Sequence, residues 1–329
     1  MRRLLALLIV PAAMLVIAAG PAGTAESAPC GAGTIRVWGD KADRAVIEAL
    51  QSAYRTRASG TCFANALHGP ESPIAGVYTG VADMAFMARE MREPMERMAF
   101  EWARLDKPTV ISFAHGGLAA DRQSAQLAVI VHASNPLRRL SLAELDAIWG
   151  AEGLRGARPI RRWGDAGAGA GVGGAWVARP LTLYGSAIDG PPMLFIRRLV
   201  MKDSRKWNPA YRALADDAAI VDAVARDPAA IAVVAAGAVK GRVRVLAVSE
   251  TAASPAALPE ANAIVTGAYP LARKVGIVVD RSGGRPLPPA LAAFLKFTLG
   301  PDGQAVIARS GTHLPLSPAD AVRESEKVG

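Results

Sequence analysis

Residues 127–150 read LAVIVHASNPLRRLSLAELDAIWG. Leu127 to Val131 is an uninterrupted apolar run with the length and composition of a strand buried on both faces. Ser134-Asn135-Pro136 breaks the run, and Ser141-Leu142-Ala143-Glu144 then forms a capping box. In that motif the serine hydroxyl accepts an N–H of the first helical turn, and the glutamate reaches back to the serine's own N–H. The pattern predicts a helix from there to Trp149. A buried strand followed by a helix is the unit of an α/β fold with mainly parallel sheets.

The same alternation continues outward. Toward the N-terminus, Thr34 to Trp38 and Phe63 to Leu67 are strand-like, separated by a helical stripe at Ala45, Val46, Ala49, Leu50 and Ala53. Pro73 to Tyr78 predicts a short helix and Ala82 to Met87 a further strand; Met91 to Ala103 has a mixed pattern. Toward the C-terminus, Leu181–Tyr184, Ile231–Val234, Val243–Val248 and Val275–Val279 are strand-like, whereas Met193–Met201, Asp216–Arg226 and Pro288–Leu299 are helical. Between them, Gly169, Gly171 and Gly174 make a formal G-x-G-x-x-G, with Asp189 twenty residues after Gly169. A dinucleotide site needs a strand before that motif and a helix after it. Here Arg161-Arg162-Trp163-Gly164-Asp165 precedes it and a strand-like run follows, so a surface loop is expected.

The N-terminus reads as a secretory signal: Arg2 and Arg3, an apolar core from Leu4 to Ala19, then small residues with a cleavage site after Ala25. The core contains Pro11 and falls short of the roughly 20 residues of a membrane-spanning helix, which disfavours an uncleaved anchor. Pro29 directly before Cys30 fits a lipidation site badly. Residues 1–25 are therefore expected to be removed and the rest to be periplasmic. Without Arg2 and Arg3 the chain keeps 36 basic against 29 acidic residues, dispersed along the sequence. That balance favours anionic ligands more than nucleic acid, which would ask for a concentrated basic run. About 300 residues exceed one ordinary core, so two domains are expected. An oxidising compartment would join Cys30 and Cys62, closing a loop worth on the order of 3 kcal/mol; the alternative is two free buried thiols.

Catalysis finds little support. His68, His115, His132 and His313 are scattered without a metalloprotease spacing, and there is no G-x-S-x-G elbow. His115 before Gly116-Gly117 faintly resembles an oxyanion loop but is read as a loop histidine; His132 and His313 are given structural roles. Trp38 could line a cleft, while Trp102, Trp149, Trp163, Trp176 and Trp207 are expected to pack or to anchor loops. No catalytic residue, metal site or cofactor is expected.

From Ala82 onward the order of motifs resembles the phosphate-binding proteins of ABC transporters, within the type II periplasmic binding protein superfamily. The resemblance rests on Gly80-Val81-Ala82-Asp83-Met84-Ala85-Phe86-Met87-Ala88-Arg89-Glu90, on the 127–150 segment, and on Tyr269-Pro270-Leu271-Ala272-Arg273, Phe294-Leu295-Lys296-Phe297, Gly303-Gln304 and Gly311-Thr312-His313-Leu314-Pro315-Leu316. It implies an α/β fold of two lobes, each a mainly parallel sheet flanked by helices, with ligand between them. Residues 26–124 plus 268–329 would form lobe 1 and 125–267 lobe 2, hinged near Gln126 and Tyr269. It further implies a monomer that hands a small anion to an ABC transporter permease.

The resemblance places ligand-binding positions at Asp40, Lys41, Ser72, Arg89, Ser186, Asp189 and Gly190, and the chain departs from the family at most of them. Asp189-Gly190-Pro191 stands where the family has a Ser-Gly-Thr turn. Proline removes a donor N–H, and an ionised aspartate only accepts. Gly39-Asp40-Lys41-Ala42 lacks the usual hydroxyls; His68-Gly69-Pro70-Glu71-Ser72 keeps one; Ala88-Arg89 keeps the arginine. Arg89 either forks onto two ligand oxygens or holds an ion pair. Orthophosphate remains one candidate, since its protonated oxygen can donate to an aspartate where sulfate cannot. A ligand with an amine or hydroxyl to offer Asp189 or Glu71 is the other. A transport-inactive sensor receptor is the alternative function, and a periplasmic hydrolase the more distant one.

Overall fold

Twelve strands fall into two six-stranded sheets in a computed structural model that describes residues 33–71, 73–119, 123–166 and 173–329. The expected signal, Cys30, Ser72 and the glycines at 169 and 171 lie outside these residues. In chain order the strands are β1 Ile35–Asp40, β2 Phe63–His68, β3 Met84–Met87, β4 Thr109–Gly116, β5 Leu127–His132, β6 Arg139–Ser141, β7 Thr182–Gly185, β8 Tyr211–Ala213, β9 Ala230–Ala235, β10 Val243–Ser249, β11 Lys274–Val279 and β12 His313–Leu314. The helices are α1 Arg44–Arg55, α2 Pro73–Tyr78, α3 Met95–Arg104, α4 Leu142–Trp149, α5 Pro191–Leu199, α6 Asp217–Arg226, α7 Ala261–Val265, α8 Pro289–Leu299, α9 Pro301–Ser310 and α10 Pro318–Glu326. No described helix is long and apolar enough to cross a membrane.

The first lobe's sheet runs β12-β4-β11-β3-β1-β2 and the second lobe's β6-β10-β5-β9-β7-β8. Both are mixed: two of the five strand pairs in the first sheet and three of the five in the second are parallel. Every antiparallel pair involves β4, β5 or β11, the strands that carry the chain into or out of a crossing between lobes and so reverse its direction. The remaining pairs, such as β3-β1-β2 and β9-β7-β8, are parallel.

Continuous apolar runs become strands here because both faces are covered. In β5, Leu127, Val129 and Val131 join one core with Trp149 of α4 and Ile196 of α5, while Ala128 and Ile130 face the other way onto Ile220 and Val224 of α6. In β3, Met84 and Phe86 meet Phe294 of α8 and Ile307 of α9, and Ala85 and Met87 meet Ile74 of α2 and Phe100 of α3. The capping box closes as expected: Ser141 N donates to Glu144 Oε2 at 2.8 Å and Glu144 N to Ser141 Oγ at 3.3 Å. Trp149 and Trp163 are fully buried, but Trp102 stands 80% exposed on α3.

The chain passes from the first sheet to the second between β4 and β5 and returns between β10 and β11. The buried side chain of Gln126 binds the two crossings together. Its Nε2 donates to Gly116 O at 2.9 Å and Arg273 O at 2.8 Å, and its Oε1 accepts from Arg273 N at 2.9 Å. Tyr269 Oη donates to Leu127 O at 2.7 Å. Glycine at 116 is required by close approach: a Cβ there would lie 1.6 Å from the Ser124 carbonyl oxygen.

β4 escaped the sequence reading, and with it His115, which is a buried strand residue paired opposite Lys274, not a loop histidine. Burial, then the Lys274 charge, pushes its imidazole down to about 4. Between that value and the ordinary value near 6.5, the unfolded chain binds a proton that the folded chain refuses. This contribution is whole above about pH 6.5, declines as pH falls toward 4, and is gone below it, amounting to about 3 kcal/mol. Denaturant unfolding at pH 7.0 and pH 4.5 should show the loss, and His115→Gln should flatten the difference between the two.

Candidate functional site: the cleft between the lobes

In open α/β sheets ligands sit beyond the carboxyl ends of the parallel strands. In the first lobe those ends are Asp40, His68 and Met87, and in the second they include Gly185, Ala213 and Ala235. Asp40 is buried, and its Oδ1 accepts from Ala42 N at 2.9 Å, capping the 3-10 turn Lys41–Asp43. The carboxylate thus takes an N–H that a helix start could have offered to an anion. Lys41 beside it is exposed. Trp38 is half-buried, with the His68 ring edge-on at 5.3 Å.

Arg89 follows β3 and is buried. Its Nη2 lies 2.6 Å from Glu96 Oε1 and 3.3 Å from Glu71 Oε2, and its Nη1 3.0 Å from Glu96 Oε2. Burial alone would depress the guanidinium's pKa, but Glu96 and then Glu71 outweigh it and hold the group above its ordinary value. Glu71 also pairs with Arg92 at 2.5 Å. Of the two roles open to Arg89, the ion pair is the one the geometry displays. Arg273, buried at the second crossing, pairs with both oxygens of Glu90, donates to Ala125 O, and lies over the Phe195 ring of the second lobe at 5.5 Å.

In the second lobe, β7 leads into the turn 186–190. Ser186 O accepts from Tyr211 Oη at 2.5 Å, while the buried Ser186 Oγ has no partner among the described residues. Gly190 N donates to Ala187 O, and Gly190 caps α5, whose first two positions are Pro191 and Pro192. Neither proline has an N–H, so that helix start is poor in the donors that would hold an anion. Asp189 is exposed at the tip of the turn.

The lobes meet along α5. Arg198 Nη2 is 3.1 Å from Glu93 Oε1, Arg198 Nη1 donates to Met91 O at 3.3 Å, and Arg197 Nη2 donates to Glu93 O at 3.4 Å. Between the 92–95 turn of the first lobe and Ile188, Asp189, Leu194, Arg197, Arg205 and Trp207 of the second lies a cavity of about 470 Å³. A smaller one of about 250 Å³ lies between Arg89, Glu90, Lys274 and Arg198.

Among the residues expected to bind ligand, Asp189 lines the larger cavity, with Ser186 and Gly190 in the same turn; Asp40 and Arg89 are engaged within the first lobe; Ser72 lies outside the described residues. Sequence reasoning missed Arg92, Glu93, Arg197, Arg205 and Trp207. The adjacent arginines in the last turn of α5 were the available signal, but helix C-termini attract arginine for reasons unrelated to ligand.

No family model matches the chain. A phosphate-binding protein PstS of Pseudomonas aeruginosa is 27% identical over 252 residues, covering 76% of this chain and 73% of that protein. Among solved structures, PstS from Borrelia burgdorferi superposes with a TM-score of 0.56 at 14% identity, covering 86% of this chain and 99% of that one. An ABC-type phosphate transport receptor from Vibrio cholerae gives 0.55 at 17%, covering 85% and 99%. Sequence and fold thus agree that the chain is PstS-like, resembling the phosphate-binding proteins of ABC transporters and built on their two-lobed periplasmic binding protein fold.

Proposed function

We propose that the chain is an exported solute-binding protein that captures phosphate or a related small anion between its lobes and delivers it to an ABC transporter. The observation that carries this reading is the cavity shared by both lobes, lined by Arg92, Arg197 and Arg205, in a chain similar to PstS. The crossings tied by Gln126 support a hinge between lobes taken as 26–124 with 268–329 and 125–267. The reading includes removal of residues 1–25, release into the periplasm and action as a monomer that docks on the permease. It also includes a Cys30–Cys62 disulfide, which an oxidising compartment would favour between the two cysteines of the sequence. The role is binding without chemistry on the ligand. A receptor that signals instead of transporting is favoured by one feature, the internal engagement of Asp40 and Arg89.

Calorimetry on the mature chain, refolded from denaturant to remove carried ligand, tests the proposal. Heat with phosphate or a phosphomonoester and none with sulfate is the expected result. Silence toward phosphate, phosphomonoesters and molybdate alike overturns it.

A further inference from the structure

We propose that the ligand of the larger interlobe cavity is a phosphomonoester carrying an ammonium group, not inorganic phosphate; this rests on the solute-binding reading above. Three observations lead there. The first is the loss of the grips suited to a bare tetrahedral anion. The Asp40 carboxylate occupies the Ala42 N–H, Arg89 is committed to Glu96 and Glu71, and α5 opens on two prolines. The second is size: about 470 Å³ falls within the roughly 300–1,000 Å³ of sites that hold organic molecules.

The third is the distribution of charge in the cavity wall. Arg205 makes no ion pair or hydrogen bond among the described residues, and Arg197 gives its Nε to Asp203 while Nη2 makes only a long contact with Glu93 O. Two guanidinium groups are thus placed to receive phosphate oxygens, which they bind by charge-assisted hydrogen bonds. On the same wall the Asp189 carboxylate also lacks a cation or donor among the described residues. A carboxylate only accepts: it repels the net charge of an inorganic anion and can take at most the proton of a hydrogen phosphate, whereas an ammonium group offers it both a donor and an opposite charge. Trp207, Ile188 and Leu194 supply apolar surface to cover the short carbon chain that separates the two ends of such a ligand.

The test titrates the refolded mature chain with phosphoethanolamine, ethyl phosphate and inorganic phosphate. Phosphoethanolamine is expected to bind about tenfold more tightly than either of the others, the size of one charge-assisted contact. Asp189→Asn, at an exposed turn, should erase that preference while leaving ethyl phosphate as tight or tighter. Arg205→Gln should weaken all the phosphorylated ligands together. Phosphate binding as tightly as phosphoethanolamine, or a preference that survives Asp189→Asn, overturns the inference and leaves the solute-binding reading standing. Failure of every phosphorylated compound to bind overturns the inference, and failure of molybdate as well removes both.

Discussion

Arg89→Ala is expected to destabilise the chain by about 3–5 kcal/mol, the usual result of removing one partner of a buried ion pair. The cost comes from what is left behind. Glu96 retains only 14% of its side-chain exposure and loses two hydrogen bonds, so its carboxylate stays desolvated without a counter-charge. Glu71 suffers less, because it is half exposed and keeps Arg92. The paired replacement Arg89→Met with Glu96→Leu should recover most of the loss, since exchanging both charges for apolar side chains of similar size removes the uncompensated group. Urea unfolding of the parent, the single and the double variant checks this. If Arg89 instead serves the ligand, Arg89→Ala will leave the unfolding midpoint near the parent's and abolish anion binding.

Gly116→Ala is the second large effect, expected to cost about 3 kcal/mol or more. The added methyl would sit 1.6 Å from a carbonyl oxygen of the main chain, at Ser124, and no rotamer can move it away. Relief requires parting β4 from the first crossing, and this strains the bonds that Gln126 makes to Gly116 O and Arg273 O. For a chain of this size the melting temperature should fall by about 5 °C or more. Gly60→Ala is the matched control, because a Cβ there meets nothing within 4 Å, and it should leave the melting temperature unchanged.

Much of the fold was legible because it is encoded locally. The run Leu127–Val131 and the Ser141/Glu144 box follow from contiguous residues. β4 was not legible, for a physical reason. Its apolar pattern is interrupted at Ser112 and ends on His115-Gly116, and what makes it a strand comes from far along the chain. Ser112 N donates to Glu324 of α10, and β11 and β12 pair on either side. The site divides in the same way. The capping role of Asp40 depends on a residue two positions on, and Glu96 lies seven beyond Arg89, both within reach of local reasoning. The partnership of Arg273 with Glu90 and the approach of Arg198 to Glu93 span more than a hundred residues and exist only once the lobes are assembled.

The Gln126 bridge has a geometric consequence for how the protein moves. Because one side chain holds Gly116 on the outgoing strand and Arg273 on the returning one, the crossings cannot slip past each other lengthwise. On the hinge proposed above, one lobe would turn against the other about an axis near that side chain, and every atom's displacement would scale with its distance from it. Phe195, whose ring lies against Arg273, is near the pivot and travels little, so a spectroscopic label there would barely register opening, whereas one carried farther out would report its full arc.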